Sequence, residues 1–311
     1  MPYHEVAACV DGPVEDALAL VDQFFDAEAI LQRPLGLAGI EDYYRQSDRG
    51  YRLFHSREGA LHIALGCDGH NDTSGYSRQA EVFAEHLDAT KARHAVELGC
   101  GMGYNVRWLA KQRPGVTFLG IDLTEDHIRH AKKQAAGLAN AQFVAGNYES
   151  MTYSENAFDA ALAVETLCQT PHLDTALAEA ARVLRPGARL VVIDCFRAAP
   201  LETLDAPLQR AARLVERTTA VEGFRCVGDW IETAGRAGLQ LVETRDLSAE
   251  TSDNLARLHR LAKRYFKMPA AFRALTKAFP KRMMENGICG LLMPYTVGFG
   301  AHTYQAIVVE A

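Results

Sequence analysis

Between His94 and Phe196, short runs rich in Val, Ile, Leu and Phe alternate with longer segments whose apolar positions recur at helical spacing. HAVEL, VTFLGID, AQFVAG, FDAALAVE and RLVVIDCF read as strands, and Val106 to Gln112, HIRHAKKQAAGL and LDTALAEAARVL read as helices. Strand and helix alternating in this way fold as right-handed βαβ units, so the pattern predicts an open α/β sheet with parallel strands. Sheets of that kind bind ligands at the carboxyl ends of their strands.

The flanks read differently. Before Thr90 come the helical stretches VEDALALVDQFF and SRQAEVFAEHL, with Tyr43, Tyr44, Tyr51 and Phe54 between them, either as a lid or as helical packing. After Phe196 the rhythm weakens, resumes at GDWIETAGRAGLQLVETRDLS, and gives way to a helical, basic stretch before the closing strand pattern HTYQAIVV. This predicts a helical N-terminal cap over 1–90, a core over 91–252 and 300–311, and a helical insertion over 253–299 on the substrate side.

Composition narrows the classes without choosing among them. The 311 residues are 48% hydrophobic and 23% charged, as in ordinary globular chains, and a net charge of -6 disfavours a nucleic-acid partner. The seven cysteines are odd in number and form no C-x-x-C pair, so they read as reduced thiols with no metal site. No apolar run reaches the roughly 18 residues of a membrane span, and a cytoplasmic protein without a stable span is expected. Homo-oligomerisation stays open.

The candidate chemistry centres on VELGCGMGYN, where a strand ends at Leu98 and Gly99, Gly101 and Gly103 precede a helix. Glycines there permit a sharp turn and close approach of a ligand to the main chain. A dinucleotide fingerprint would need glycine where Tyr104 stands, which argues against a nicotinamide cofactor. Asp122 ends the next strand, where a carboxylate accepts ribose hydroxyls; its bland alternative is a helix N-cap, a task open to Thr124.

From Ala92 to Cys195 the chain resembles the class I S-adenosylmethionine-dependent methyltransferases, on the strength of VELGCGMG, Asp122, AGNYESM and the strand leading to Glu165. The resemblance implies a Rossmann-like, seven-stranded, mostly parallel sheet and S-adenosyl-L-methionine as cofactor. It further implies that Glu97 lies near the methionine end, that Gly99, Gly101 and Gly103 wrap the cofactor, and that Leu123, Asn147 and Tyr148 line its adenosine. Asn147 stands where the family often has Asp. Glu165-Thr166 and the turn Arg185-Pro186-Gly187 are similar to the sterol, terpenoid and tocopherol methyltransferases, which act on small apolar acceptors; His62 falls near a histidine of that group.

A methyl sulfonium is already activated, so such an enzyme chiefly has to align the acceptor and exclude water, an effect worth roughly 7 to 11 kcal/mol. C-, O- and N-methylation stay open. A hydroxyl acceptor calls for a general base, and an alkene acceptor for a carboxylate or aromatic faces beside the developing cation. Glu165, ending a buried strand on the ligand side, is the leading catalytic candidate, followed by His172 and His62; Tyr295 and His302 border the last strand. Met283, Met284 and Met293 read as core filling. The run Arg257 to Arg282 reads as the solvated face of an amphipathic helix, with an acidic acceptor or a membrane surface as alternatives. Two rival functions remain: a cofactor-binding regulator or scaffold without turnover, and a nicotinamide oxidoreductase.

Overall fold

The computed structural model describes residues 3–311. The N-terminal part comprises α1 (His4–Ala7), α2 (Val14–Phe24), α3 (Ala27–Leu31), α4 (Leu37–Gly50) and α5 (Arg78–Thr90). The alternating part follows as β1 (His94–Leu98), α6 (Tyr104–Gln112), β2 (Thr117–Asp122), α7 (Glu125–Gln134), β3 (Ala141–Ala145), β4 (Phe158–Val164), α8 (Leu173–Val183) and β5 (Leu184–Arg197). The rest is α9 (Ala206–Thr218), α10 (Val227–Arg236), β6 (Gln240–Asp246), α11 (Ser252–Phe266), α12 (Pro269–Ala278), α13 (Lys281–Gly298) and β7 (His302–Glu310).

The strands form one seven-stranded sheet in the order β3-β2-β1-β4-β5-β7-β6. Strands β1 to β5 pair in parallel, and β7 inserts antiparallel between β5 and β6. The chain winds outward from β1 through β2 to β3, then returns to place β4 on the other flank of β1. That reversal opens a crevice above the carboxyl ends of β1 and β4, the usual ligand position in such sheets.

Alternation along each strand splits the core into two layers. Ala95, Phe118, Leu162, Val191 and Ile193 face α5, α6 and α7, whereas Val96, Leu98, Ala161, Ala163 and Val192 face α8 and α10. The motif Leu184-Arg185-Pro186-Gly187 is continuous with β5, entering it through an irregularity in the β4 to β5 register.

The helical parts are organised differently from the sequence expectation. Helix α5, assigned to the cap, packs on β4, β5 and α6 and belongs to the sheet's helical layer. Helix α9, counted with the core, instead packs against α13 and joins α2, α3, α4 and α11 in one helical body. Cap and insertion are thus a single structure assembled from distant segments. Arg197 at the end of β5 pins it to the sheet through two 2.7 Å bonds to the buried Glu216 of α9. Arg33 grips the buried Glu285 of α13 in the same bidentate way. Among the described residues no helix is long and apolar enough to cross a membrane.

Candidate functional site

Two cavities meet above the carboxyl ends of β1 and β4. The first, about 870 Å³ of free space, is lined by the turn after β1, the ends of β2 and β4 and the loop after β3. Gly99, Gly101 and Gly103 all have positive φ, at 66°, 51° and 74°. Their missing side chains face protein, as the expected sharp turn requires. A Cβ on Gly99 would lie 2.0 Å from Thr166 Oγ1, and one on Gly103 would lie 2.5 Å from the Phe143 ring. The glycines therefore let the turn press against its neighbours. Gly99 and Gly101 border the cavity; Gly103 lies behind it as the N-cap of α6.

Asp122 ties this turn to β2. Its Oδ2 accepts the Gly101 N–H at 2.8 Å and its Oδ1 the Thr124 N–H at 2.9 Å, while the carboxylate still borders the cavity with Leu123. Each carboxylate oxygen keeps acceptor capacity beyond one bond. Thr124 is the N-cap residue of α7 but its side chain makes no capping bond. Asn147 and Tyr148 lie on the opposite rim, the Tyr148 hydroxyl donating to the Thr166 carbonyl at 3.2 Å. The Asn147 amide oxygen accepts the Glu149 N–H at 2.9 Å, so it caps its own loop before it can serve a ligand.

Glu97 is buried at the floor. Its Oε1 accepts from the Asn105 amide at 2.8 Å, but Glu97 Oε2 and Asn105 Oδ1 are both buried without a protein donor. Burial pushes the Glu97 carboxyl up to about 8. Two unpartnered acceptors side by side suit an ammonium group, and the rim above offers a carboxylate and a tyrosine. This donor and acceptor set fits S-adenosylmethionine, which carries an ammonium group and ribose hydroxyls.

The second cavity has about 1660 Å³ of free space, nearly twice the first, and lies between the helical body and the sheet. It is bordered by Tyr43, Tyr51 and Phe54, by Leu258, Tyr265 and Phe266, by Phe272 and Phe279, and by Met283, Met284 and Met293. The methionines fill the core as expected, Met283 and Met293 buried and Met284 packed against the cluster, and also form part of the cavity wall. Arg257 to Arg282 is not one amphipathic helix but spans α11, α12 and the start of α13, and its apolar residues face the cavity. Arg257 donates instead to the carbonyls of Asp68 and Phe54, and Lys263 to Asp11.

Glu165 borders both cavities, with Tyr44, Leu61 and Gln169. It follows β4 directly and has φ 47°, a left-handed backbone that a glutamate adopts only under constraint from its surroundings. Its Oε1 accepts the Ile63 N–H and the Tyr304 hydroxyl, both at 2.8 Å. Burial pushes its carboxyl up to about 7, and the neighbouring Asp194 adds to the rise. Asp194, also on the second cavity, is pushed up to about 6 by burial while accepting the N–H groups of Cys168 and Cys195.

The other candidates separate. His62 borders the first cavity, but its Nε2 bonds the Tyr76 carbonyl at 2.9 Å and burial lowers it to about 4, so it stays neutral. His172 is exposed before α8 and borders neither cavity, because the helix start projects it outward. Tyr295 bonds the Asp11 carbonyl and His302 bonds Thr296, both away from the cavities. Sequence reasoning missed Tyr304, Gln79 and Asp194. Tyr304 lies on the closing strand beyond any motif, and Gln79 anchors it while donating to the Ile63 carbonyl.

Residues 96–192 match a family model described as a methyltransferase domain. The chain is 26% identical over 197 residues to a 24-methylenesterol C-methyltransferase of Arabidopsis thaliana, covering 62% of this chain and 54% of that protein. It spans about half the length of the curated relatives it matches. Among solved structures, geranyl diphosphate C-methyltransferase from Streptomyces coelicolor superposes with a TM-score of 0.61 at 17% identity, covering 86% of this chain and 98% of that one. The cyclopropane synthase MmaA2 from Mycobacterium tuberculosis gives 0.67 at 14% identity, covering 88% and 97%. The fold is the Rossmann-like one of class I methyltransferases.

Proposed function

We propose that this chain, which carries a class I S-adenosylmethionine-dependent methyltransferase domain, moves the cofactor's methyl group to an apolar small molecule held in the second cavity. The observation that carries this reading is the junction: the polar cavity suited to the cofactor and the apolar cavity share Glu165. When bound, the cofactor supplies an electrophilic methyl group on a sulfonium. Everything else falls to the chain.

The turn after β1, with Glu97 and Asp122, orients the cofactor, and the helical body excludes water from the acceptor. The acceptor atom gains a bond to the methyl carbon as the carbon–sulfur bond breaks. The proton the acceptor then gives up goes to the Glu165 carboxylate, the base at the junction, whose position is held by Tyr304 and the Ile63 N–H. If the acceptor atom is an alkene carbon, the same carboxylate and the rings of Tyr44 and Tyr51 face the cation that precedes proton loss. The sterol C-methyltransferase relative supports the alkene form of this reading.

The test is release of S-adenosylhomocysteine on incubation with a panel of apolar alcohols, alkenes and amines. Turnover with at least one apolar acceptor is expected. Tight cofactor binding with no release across the panel would favour a regulatory binder. A nicotinamide reading has no support at the turn, where Tyr104 packs its ring 5.8 Å from His62 and 6.2 Å from Tyr76.

A further inference from the structure

The acceptor cavity carries a second polar spot. Apart from Glu165 and Asp194, its described lining holds no charged side chain except His55, which burial lowers to about 4 and so leaves neutral. Among the described residues no Lys or Arg borders it, although α11 and α12 carry several. Three polar groups do border it together: the hydroxyls of Tyr43 and Tyr51, 2.7 Å apart, and the amide of Asn286, which adjoins Tyr43. Two phenols sharing one hydrogen bond have one O–H still free to donate. Asn286 Oδ1 is buried without a donor. A free donor beside a free acceptor, on a wall where Tyr44, His55, Gln169 and Thr219 are already hydrogen-bonded within the protein, is what a hydroxyl group requires.

We propose that the acceptor is an uncharged apolar molecule bearing a hydroxyl group, read by Tyr43, Tyr51 and Asn286, and that the cavity rejects anionic forms of the same skeleton. This deepens the methyltransferase reading and rests on it for the cavity's role. The rejection follows from charge: a phosphate or carboxylate headgroup would be buried beside two acidic side chains with no cation to compensate. The hydroxyl preference follows from the unpaired groups, which a hydrocarbon would leave unpaired.

The experiment uses four probes with one twelve-carbon chain and different ends: dodecanol, dodecane, laurate and dodecyl phosphate. Each is titrated, below its aggregation concentration, against Nile red bound to the full chain loaded with S-adenosylhomocysteine. Dodecanol is expected to displace the dye at the lowest concentration, dodecane at about tenfold higher, and the two anions at about hundredfold higher or more. Tyr51→Phe and Asn286→Leu are each expected to bring dodecanol to the level of dodecane while leaving S-adenosylhomocysteine affinity unchanged. That unchanged affinity also shows that the variants are folded, and Tyr51→Phe removes only an oxygen. The proposal is overturned if either anion binds as tightly as dodecanol, if both variants keep the alcohol preference, or if no probe displaces the dye. Failure of S-adenosylhomocysteine itself to bind would instead overturn the cofactor reading.

Discussion

The two cavities that meet at Glu165 are built by opposite means. The first is made largely of the turns at the strand ends within one stretch of chain, Glu97 to Thr170, with a few residues of the cap as a cover. The second is made of long side chains from α4, α9, α11, α12 and α13 and the segment after α4, brought together only by folding. A site for a fixed ligand is served by main-chain geometry, which tolerates little change. A site for a variable ligand is served by side chains on helices, which change shape residue by residue. Substitutions in the two regions should therefore separate cleanly into effects on cofactor affinity and effects on acceptor choice.

The largest effect is expected where the regions touch. Glu165→Gln should lower kcat by about 10² to 10⁴-fold, the range for loss of a general base, with little change in S-adenosylhomocysteine affinity by calorimetry. Equal losses in both would return Glu165 to the cofactor cavity. In the first region, Asp122→Ala should weaken that affinity by about 10- to 150-fold, from loss of hydrogen bonds to a charged group worth about 1.5 to 3 kcal/mol. Acceptor KM should not move.

Tyr304→Phe sharpens the boundary further. It removes a donor to the ionised Glu165, so kcat should fall about tenfold, a single hydrogen bond to a charged group. The pH midpoint should also move. Because the base form is required, wild-type kcat should rise with pH through about 7, as an apparent value of the Glu165 and Asp194 pair, and the variant should rise at higher pH. An unshifted profile would make Tyr304 merely structural.

A smaller effect belongs to Glu97. Its carboxyl, pushed up to about 8, ionises as pH rises, and only the ionised form attracts an ammonium group. S-adenosylhomocysteine affinity should therefore increase from about pH 6 to about pH 8.5 and stay flat in Glu97→Gln. The smallest effect is none: His172→Ala, exposed outside both cavities, should leave kcat and KM unchanged.

Legibility from sequence followed the same division. HAVEL coincides with β1, and the other strand patterns fall within a residue or two of β2 to β4, because parallel strands buried on both faces read as apolar runs between turns. Glu97, Asp122, Asn147 and Glu165 lie at strand ends, where position along the chain translates directly into position at the crevice. His172 also stands after a strand, but the three-dimensional course of its loop turns it outward. Helix α9 was hidden because its polar and apolar residues gave no rhythm of strands to follow. Tyr304 was hidden because its partner is 139 residues away. Asn286 was hidden because an amide within a helix has no sequence signature for facing a cavity.

The account rests on the methyl group being presented at Glu165, where the two cavities join. A crystal structure with S-adenosylhomocysteine tests that without knowledge of the acceptor. The thioether sulfur should lie between the Gly99 turn and Glu165, with the amino group at Glu97 and Asn105 and the apolar cavity open on the methyl side. A sulfur facing away from that junction, or an adenine ring seated among Phe266, Phe272 and Phe279, would contradict it.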